Sequence, residues 1–163
     1  MIMNELVAMS IKGLMLDPVS NSPIVVLKDD DEKFFLPIWV GIFEANAIAL
    51  QLENITTPRP MTHDLLRNMI AELNARVLRI VINDLRDSTF FAQIRLAVGN
   101  NTLEVDARPS DAIALALRTE APIFVAQSVL DQAQTITPDE DAEEKSQKWF
   151  ENLSPEDLGK YKM

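Results

Sequence analysis

The sequence predicts an α+β fold, a mixed and largely antiparallel sheet with buried helices packed on it, followed by a charged helical tail. Three observations carry this expectation. Short β-branched runs are separated by tight turns, two helical stretches are apolar nearly all round and so cannot face water, and charge displaces apolar periodicity from Pro138 onward. The expected organisation is one domain over residues 1–137 and a tail over 138–163, since 163 residues suffice for a single hydrophobic core but not for two.

The elements follow in order. Asn4 to Leu16 alternates in its middle, with Leu6, Ala8 and Ser10 against Val7, Met9 and Ile11, and reads as a strand. Asp17-Pro18 and Asn21-Ser22-Pro23 are turn residues, Ile24 to Leu27 is a second strand, and the acidic run between Lys28 and Lys33 suits a solvated hairpin tip. Phe34 to Val40 is a third strand. Pro37 puts it at a sheet edge or a bulge, because proline removes one ladder donor. Gly41 to Leu52 reads as a helix through Ala45, Ile48, Ala49 and Leu52, with Trp39 and Phe43 expected in the core.

Thr62 is the expected N-cap of a second helix, whose apolar face comprises Leu65, Leu66, Met69, Ile70 and Leu73. Arg76 to Leu85, Thr89 to Val98 and Thr102 to Asp106, joined by tight turns, predict an antiparallel meander. Pro109 suits the first turn of a helix over Ala112 to Leu117 that is buried on every side. Ala121 to Val125 is a further strand and Ser128 to Gln134 a short helix. Trp149, Phe150 and Leu153 give the charged tail an apolar patch that suits a protein partner.

Composition bounds the function. The absence of cysteine removes disulfides and thiolate metal sites. No basic region followed by an apolar run opens the chain, and no apolar stretch approaches the roughly 18 residues that span a bilayer, so a cytoplasmic protein without membrane contact is expected. The net charge of −10 opposes binding to a polyanion, and residues 138–163, with eight acids and four lysines, account for only −4 of it.

The chemistry-bearing residues gather before two helices. Arg59-Pro60 precedes His63 and Asp64, the former being the only histidine, and Asp106 and Arg108-Pro109 precede Ser110 and Asp111. If the two Arg-Pro turns lie side by side, these residues share one edge of the fold. Glu44, Asp106, Asp111 and Asp64 together suit a hard cation such as Mg2+ or Mn2+, which takes oxygen ligands. Each acid equally suits a structural role, capping a helix or pairing with Arg59 or Arg108. A guanidinium beside a helix N-terminus forms an anion site, and histidine is the side chain best suited to move a proton near neutrality.

Three ordered segments, Leu36-Pro37-Ile38-Trp39-Val40-Gly41 with Glu44-Ala45, Arg59 to Leu66, and Asp106 to Ala116, resemble the bifunctional nuclease family over roughly residues 4–135. The resemblance implies an α+β domain that tends to dimerise and an activity that cleaves both RNA and DNA. On that expectation His63, Asp64, Asp106 and Asp111 are catalytic, Arg59, Arg108 and Ser110 bind substrate, and Glu44, Asp106 and Asp111 hold Mg2+ or Mn2+. The other class of function left open is a non-catalytic module that uses the same Arg/Asp edge for a small anionic ligand or a protein partner.

Overall fold

A computed structural model describes residues 5–133. The expected tail over 138–163 and its proposed partner patch lie outside the described residues. The elements run β1 (Leu6–Leu16), β2 (Pro23–Asp29), β3 (Phe35–Trp39), α1 (Ile42–Leu52), α2 (Thr62–Glu72), β4 (Ala75–Arg86), β5 (Thr89–Val98), β6 (Asn101–Ala107), α3 (Pro109–Thr119), β7 (Ile123–Ala126) and α4 (Gln127–Gln132).

All seven strands join one sheet in the order β3-β2-β1-β7-β4-β5-β6. Every pairing is antiparallel except β4 with β7, which run parallel in the centre. The two meanders β1-β2-β3 and β4-β5-β6 are thus joined through β7. β3 is an edge strand, as Pro37 requires, with Pro37 opposite Val26. The β4–β5 hairpin turns at Asp87-Ser88, both with positive φ (49° and 62°), the backbone geometry that matches the right-handed twist of the flanking strands.

α3 is the central helix. Ala112, Ile113, Ala114, Leu115 and Ala116 are each 1% exposed or less, which agrees with a helix apolar on every side. It packs against α1, α2, β4 and β5. The alanines on the two nearest helices, Ala45, Ala47 and Ala49 on α1 and Ala112, Ala114 and Ala116 on α3, are all buried and keep both surfaces low. By strand alternation Val25 and Leu27 of β2 enter this core, whereas Ile24 and Val26 form a second, smaller cluster with Phe35.

Two expectations from the apolar pattern are corrected. The stripe on α2 faces outward: Leu65, Met69 and Leu73 are 52, 55 and 73% exposed and Leu66 is 39% exposed, while His63 is the buried residue of that helix and Ile70 packs on the core. Trp39 and Phe43 are likewise surface residues, 54 and 60% exposed. The N-cap of α2 is Met61, one residue before Thr62, with Asp64 Oδ2 accepting from the Met61 N–H at 3.0 Å.

Candidate active site

The N-terminal ends of α1, α2 and α3 meet in a continuous polar network. Asp111 lies in the first turn of α3, where the helix dipole favours a carboxylate. Its Oδ1 lies 2.9 Å from His63 Nε2 at the start of α2. Its Oδ2 accepts from Arg108 Nε at 2.9 Å and from Arg108 Nη2 at 2.8 Å. The same Nη2 is 3.0 Å from Glu44 Oε1 in the first turn of α1. Because an ionised carboxylate only accepts, the Nε2 of His63 is the nitrogen that carries the proton whenever the ring is neutral, and the Nδ1 lone pair is then the acceptor.

Exposure differs sharply along this chain of groups. The His63 side chain is 11% exposed and Glu44 16%, whereas the guanidinium side chain of Arg108 remains 67% exposed. The hydrogen bond and charge of Asp111, helped by Glu44, raise the Arg108 pKa above its ordinary value, so this residue is a permanent cation. One cation between two carboxylates gives the cluster a slightly negative balance.

Asp64 joins a different network. Its Oδ1 accepts from Arg118 Nε at 2.7 Å, and Arg118 also donates to the carbonyls of Ala114 at 2.9 Å and Ala47 at 3.0 Å. Burial pushes the Asp64 carboxyl upward, but the Met61 N–H and the Arg118 guanidinium outweigh it and hold the pKa below the usual carboxylate value. Arg118 is only 2% exposed and ties α1, α2 and α3 together. The sequence reading overlooked it, since it ends a run taken as uniformly apolar. Its signal was a lone charge at the seventh position after Asp111, two turns along the same helix.

The remaining expected residues are dispersed. Asp106 is exposed on β6 opposite Gln93, and Arg59 is exposed in the loop before α2, where its carbonyl accepts from Thr57 Oγ1 at 2.8 Å. The two Arg-Pro turns therefore share a neighbourhood through His63 and Asp111 and not through both arginines. Ser110 is buried, 6% exposed, and lines a cleft of about 300 Å3 with Trp39, Gly41, Ser88, Phe90 and Arg108. For a metal, the donors as arranged do not fit: Glu44 and Asp111 both turn onto the Arg108 guanidinium, and among the described residues no three His, Asp or Glu side chains group to hold an ion.

A family model described as the bifunctional nuclease domain matches residues 25–138, a span that contains the starts of α1, α2, α3 and α4 and the whole polar network. The chain belongs to the bifunctional nuclease domain family. An uncharacterized protein of Mycobacterium tuberculosis is 37% identical over 157 residues, covering 90% of this chain and 94% of that protein. Bifunctional nuclease 1 of Arabidopsis thaliana is 31% identical over 118 residues, and bifunctional nuclease 1 of Oryza sativa subsp. japonica is 30% identical over 112. These matches take in 70 and 67% of this chain but only 36 and 34% of the plant proteins, so the matched part of the chain spans about a third of the length of each. No helix among the described residues is long and apolar enough to cross a membrane.

Proposed function

We propose that this bifunctional nuclease domain hydrolyses phosphodiester bonds of RNA and DNA at the His63–Asp111–Arg108–Glu44 network, in the cytoplasm. The observation that carries the reading is the Asp111 bridge: one carboxylate oxygen orients the only histidine and the other holds an exposed arginine. In this reading the guanidinium of Arg108 engages a phosphate oxygen and offsets the charge that develops there. Asp111 keeps the Nε2 proton on His63, so that Nδ1 takes a proton from the attacking water. Ser110, at the start of α3, donates its hydroxyl to the same phosphate.

A dependence on Mg2+ or Mn2+ is read in the same assay that tests the cleavage. The decisive assay follows cleavage of single-stranded RNA and DNA by highly purified protein with Mg2+, with Mn2+ and with chelator, comparing wild type with His63→Ala, Arg108→Ala and Asp106→Asn. Folding of each variant is checked by circular dichroism. Loss of the rate in folded His63→Ala and Arg108→Ala supports the network. Loss in Asp106→Asn alone moves the chemistry to the β6 edge, and a rate that survives all three substitutions is contamination.

A second reading has an observation of its own. Two carboxylates already compensate Arg108, and the chain carries −10 overall, which suits a module that holds a small anion or a protein partner without cleaving it. We also propose that two copies of the chain associate through the outward apolar stripe of α2, because Leu65, Met69 and Leu73 recur on one helix face and are more than half exposed.

A further inference from the structure

Trp39 ends a strand whose other four residues are buried, yet it is itself 54% exposed. Its ring is not loose. The indole Nε1 donates to Asp17 Oδ2 at 2.9 Å, and the other oxygen of Asp17 accepts from the Val19 N–H at 2.9 Å and the Ser20 N–H at 3.4 Å. The Val19 N–H first, and then the Trp39 indole, hold the Asp17 carboxyl below its ordinary pKa, so the anchor is ionised at neutral pH. A large aromatic is therefore fixed at one rim and kept in water at its body.

The cleft this ring lines runs to the start of α3, where it meets Arg108 and the buried Ser110, and Phe90 also lines it. At about 300 Å3 it stands at the small end of ligand sites, with room for one flat ring and its sugar and none for a duplex. The polar side chains around it are few: three hydroxyls, Ser88, Thr89 and Ser110, and the single cation Arg108, already shared with Glu44 and Asp111. Such a lining offers little attraction for a polyanion as a whole and a good deal for an aromatic ring that carries one phosphate.

We propose that this cleft is a nucleobase subsite, taking one unstacked base of a single-stranded RNA or DNA against Trp39 with the adjoining phosphate on Arg108. The proposal rests on the nuclease reading above and narrows its substrate to single strands. Bases in a duplex are stacked on one another and cannot lay a face on an indole at the rim of a small cleft, whereas a flexible strand can present one. It also reconciles the acidity of the chain with a nucleic-acid ligand. Affinity comes mainly from stacking, and with a single phosphate contacted, log K should fall with log salt at a slope of only about −0.7.

The test uses the full chain with Trp149→Phe, which leaves Trp39 as the only tryptophan. A twelve-residue oligo-dT and an oligo-U should quench its fluorescence saturably, and a blunt duplex or inorganic pyrophosphate should not. Anisotropy of a fluorescein-labelled oligo-dT should show Trp39→Ala binding roughly tenfold or more weakly, with part of the loss recovered in Trp39→Phe, which keeps an aromatic face. Equal response to duplex, no quenching by single strands, or unchanged affinity in folded Trp39→Ala would overturn the subsite. A Trp39 signal that changes on dilution of the protein alone would also overturn it, because a second copy would then cover the ring. Cleavage is measured in parallel: saturable quenching without cleavage retains the subsite and removes the nuclease, and cleavage without quenching does the reverse.

Discussion

Arg118 Nε donates to Asp64 Oδ1 at 2.7 Å from a side chain that is 2% exposed, so a full positive charge is buried among three helices with one carboxylate to balance it. Removing that carboxylate strands the charge. Asp64→Ala is expected to lower stability by about 3 kcal/mol, the low end for breaking a buried pair, because Asp64 itself keeps 19% exposure. Arg118→Met, which fills similar volume without charge, should cost less. Urea denaturation of the three proteins checks the order, and an Asp64→Ala loss below that of Arg118→Met would contradict it.

The same pair sets a pH dependence. The folded pKa of Asp64 is held below the ordinary value, so its contribution is complete above about pH 4 and disappears as pH falls through the lower folded value. Acid denaturation of Asp64→Asn should therefore lack part of the steep loss that wild type shows below about pH 4. Identical pH profiles for the two proteins, after allowance for their different stability at pH 7, would remove Asp64 from this role.

Gly41 matters through Glu44. Its φ of −70° is open to any residue, but a Cβ there would run into Glu44 Oε2, which folds back over the N-cap of α1. Gly41→Ala should leave the fold intact, within about 1 kcal/mol since the Glu44–Arg108 pair is largely exposed on the arginine side, while pushing Glu44 off Arg108. Relieved of one carboxylate, Arg108 should hold an anion more tightly. Gly41→Ala and Glu44→Gln are thus expected to bind a labelled single-stranded oligonucleotide a few-fold more strongly than wild type. Weaker binding in both would mean that Glu44 touches the ligand itself.

The outward stripe of α2 gives a prediction about assembly. Light scattering should report twice the 18.3 kDa chain mass at micromolar concentration, and Met69→Asp, at the middle of the stripe, should return the monomer. A single 18.3 kDa species for wild type would leave the exposed leucines without this partner.

Much of the fold is legible in the sequence because local rules and burial agree there. Pro37 marks an edge strand, tight turns join β4, β5 and β6, and the unbroken run from Ala112 to Leu117 is a central helix. Periodicity fails where it states that a stripe exists without saying what covers it. The leucines of α2 and the indole of Trp39 look like core residues in the sequence, but His63 and Asp64 turn inward on α2, drawn there by Asp111 and Arg118. The candidate site was legible as a set of residue types and only partly as a set of partners. Spacing could bring Asp111 to Arg108, one turn apart, but not Asp64 to Arg118, which are 54 residues apart and meet only after α2 has packed on α3.

The two oxygens of Asp111 serve different donors. Oδ1 faces the Nε2–H of His63, and Oδ2 faces two donors of Arg108, so both positions require an acceptor. Asp111→Asn keeps the shape but supplies only one acceptor. Two N–H groups of a permanent cation outweigh one imidazole N–H, so the amide oxygen should turn to Arg108 and the amide NH2 to His63. The neutral ring must then carry its proton on Nδ1, the nitrogen that the hydrolytic reading uses as base. The rate should fall by about 10²–10⁴-fold, the usual contribution of a positioned general base, with little change in the fold. Because His63 is the only histidine, 15N-histidine labelling reports the tautomer without overlap. The expected spectra show an Nε2–H ring in wild type and an Nδ1–H ring in Asp111→Asn. If both proteins show the same tautomer while the rate still falls, Asp111 acts on the phosphate or on Arg108, and His63 is a structural residue between α2 and α3.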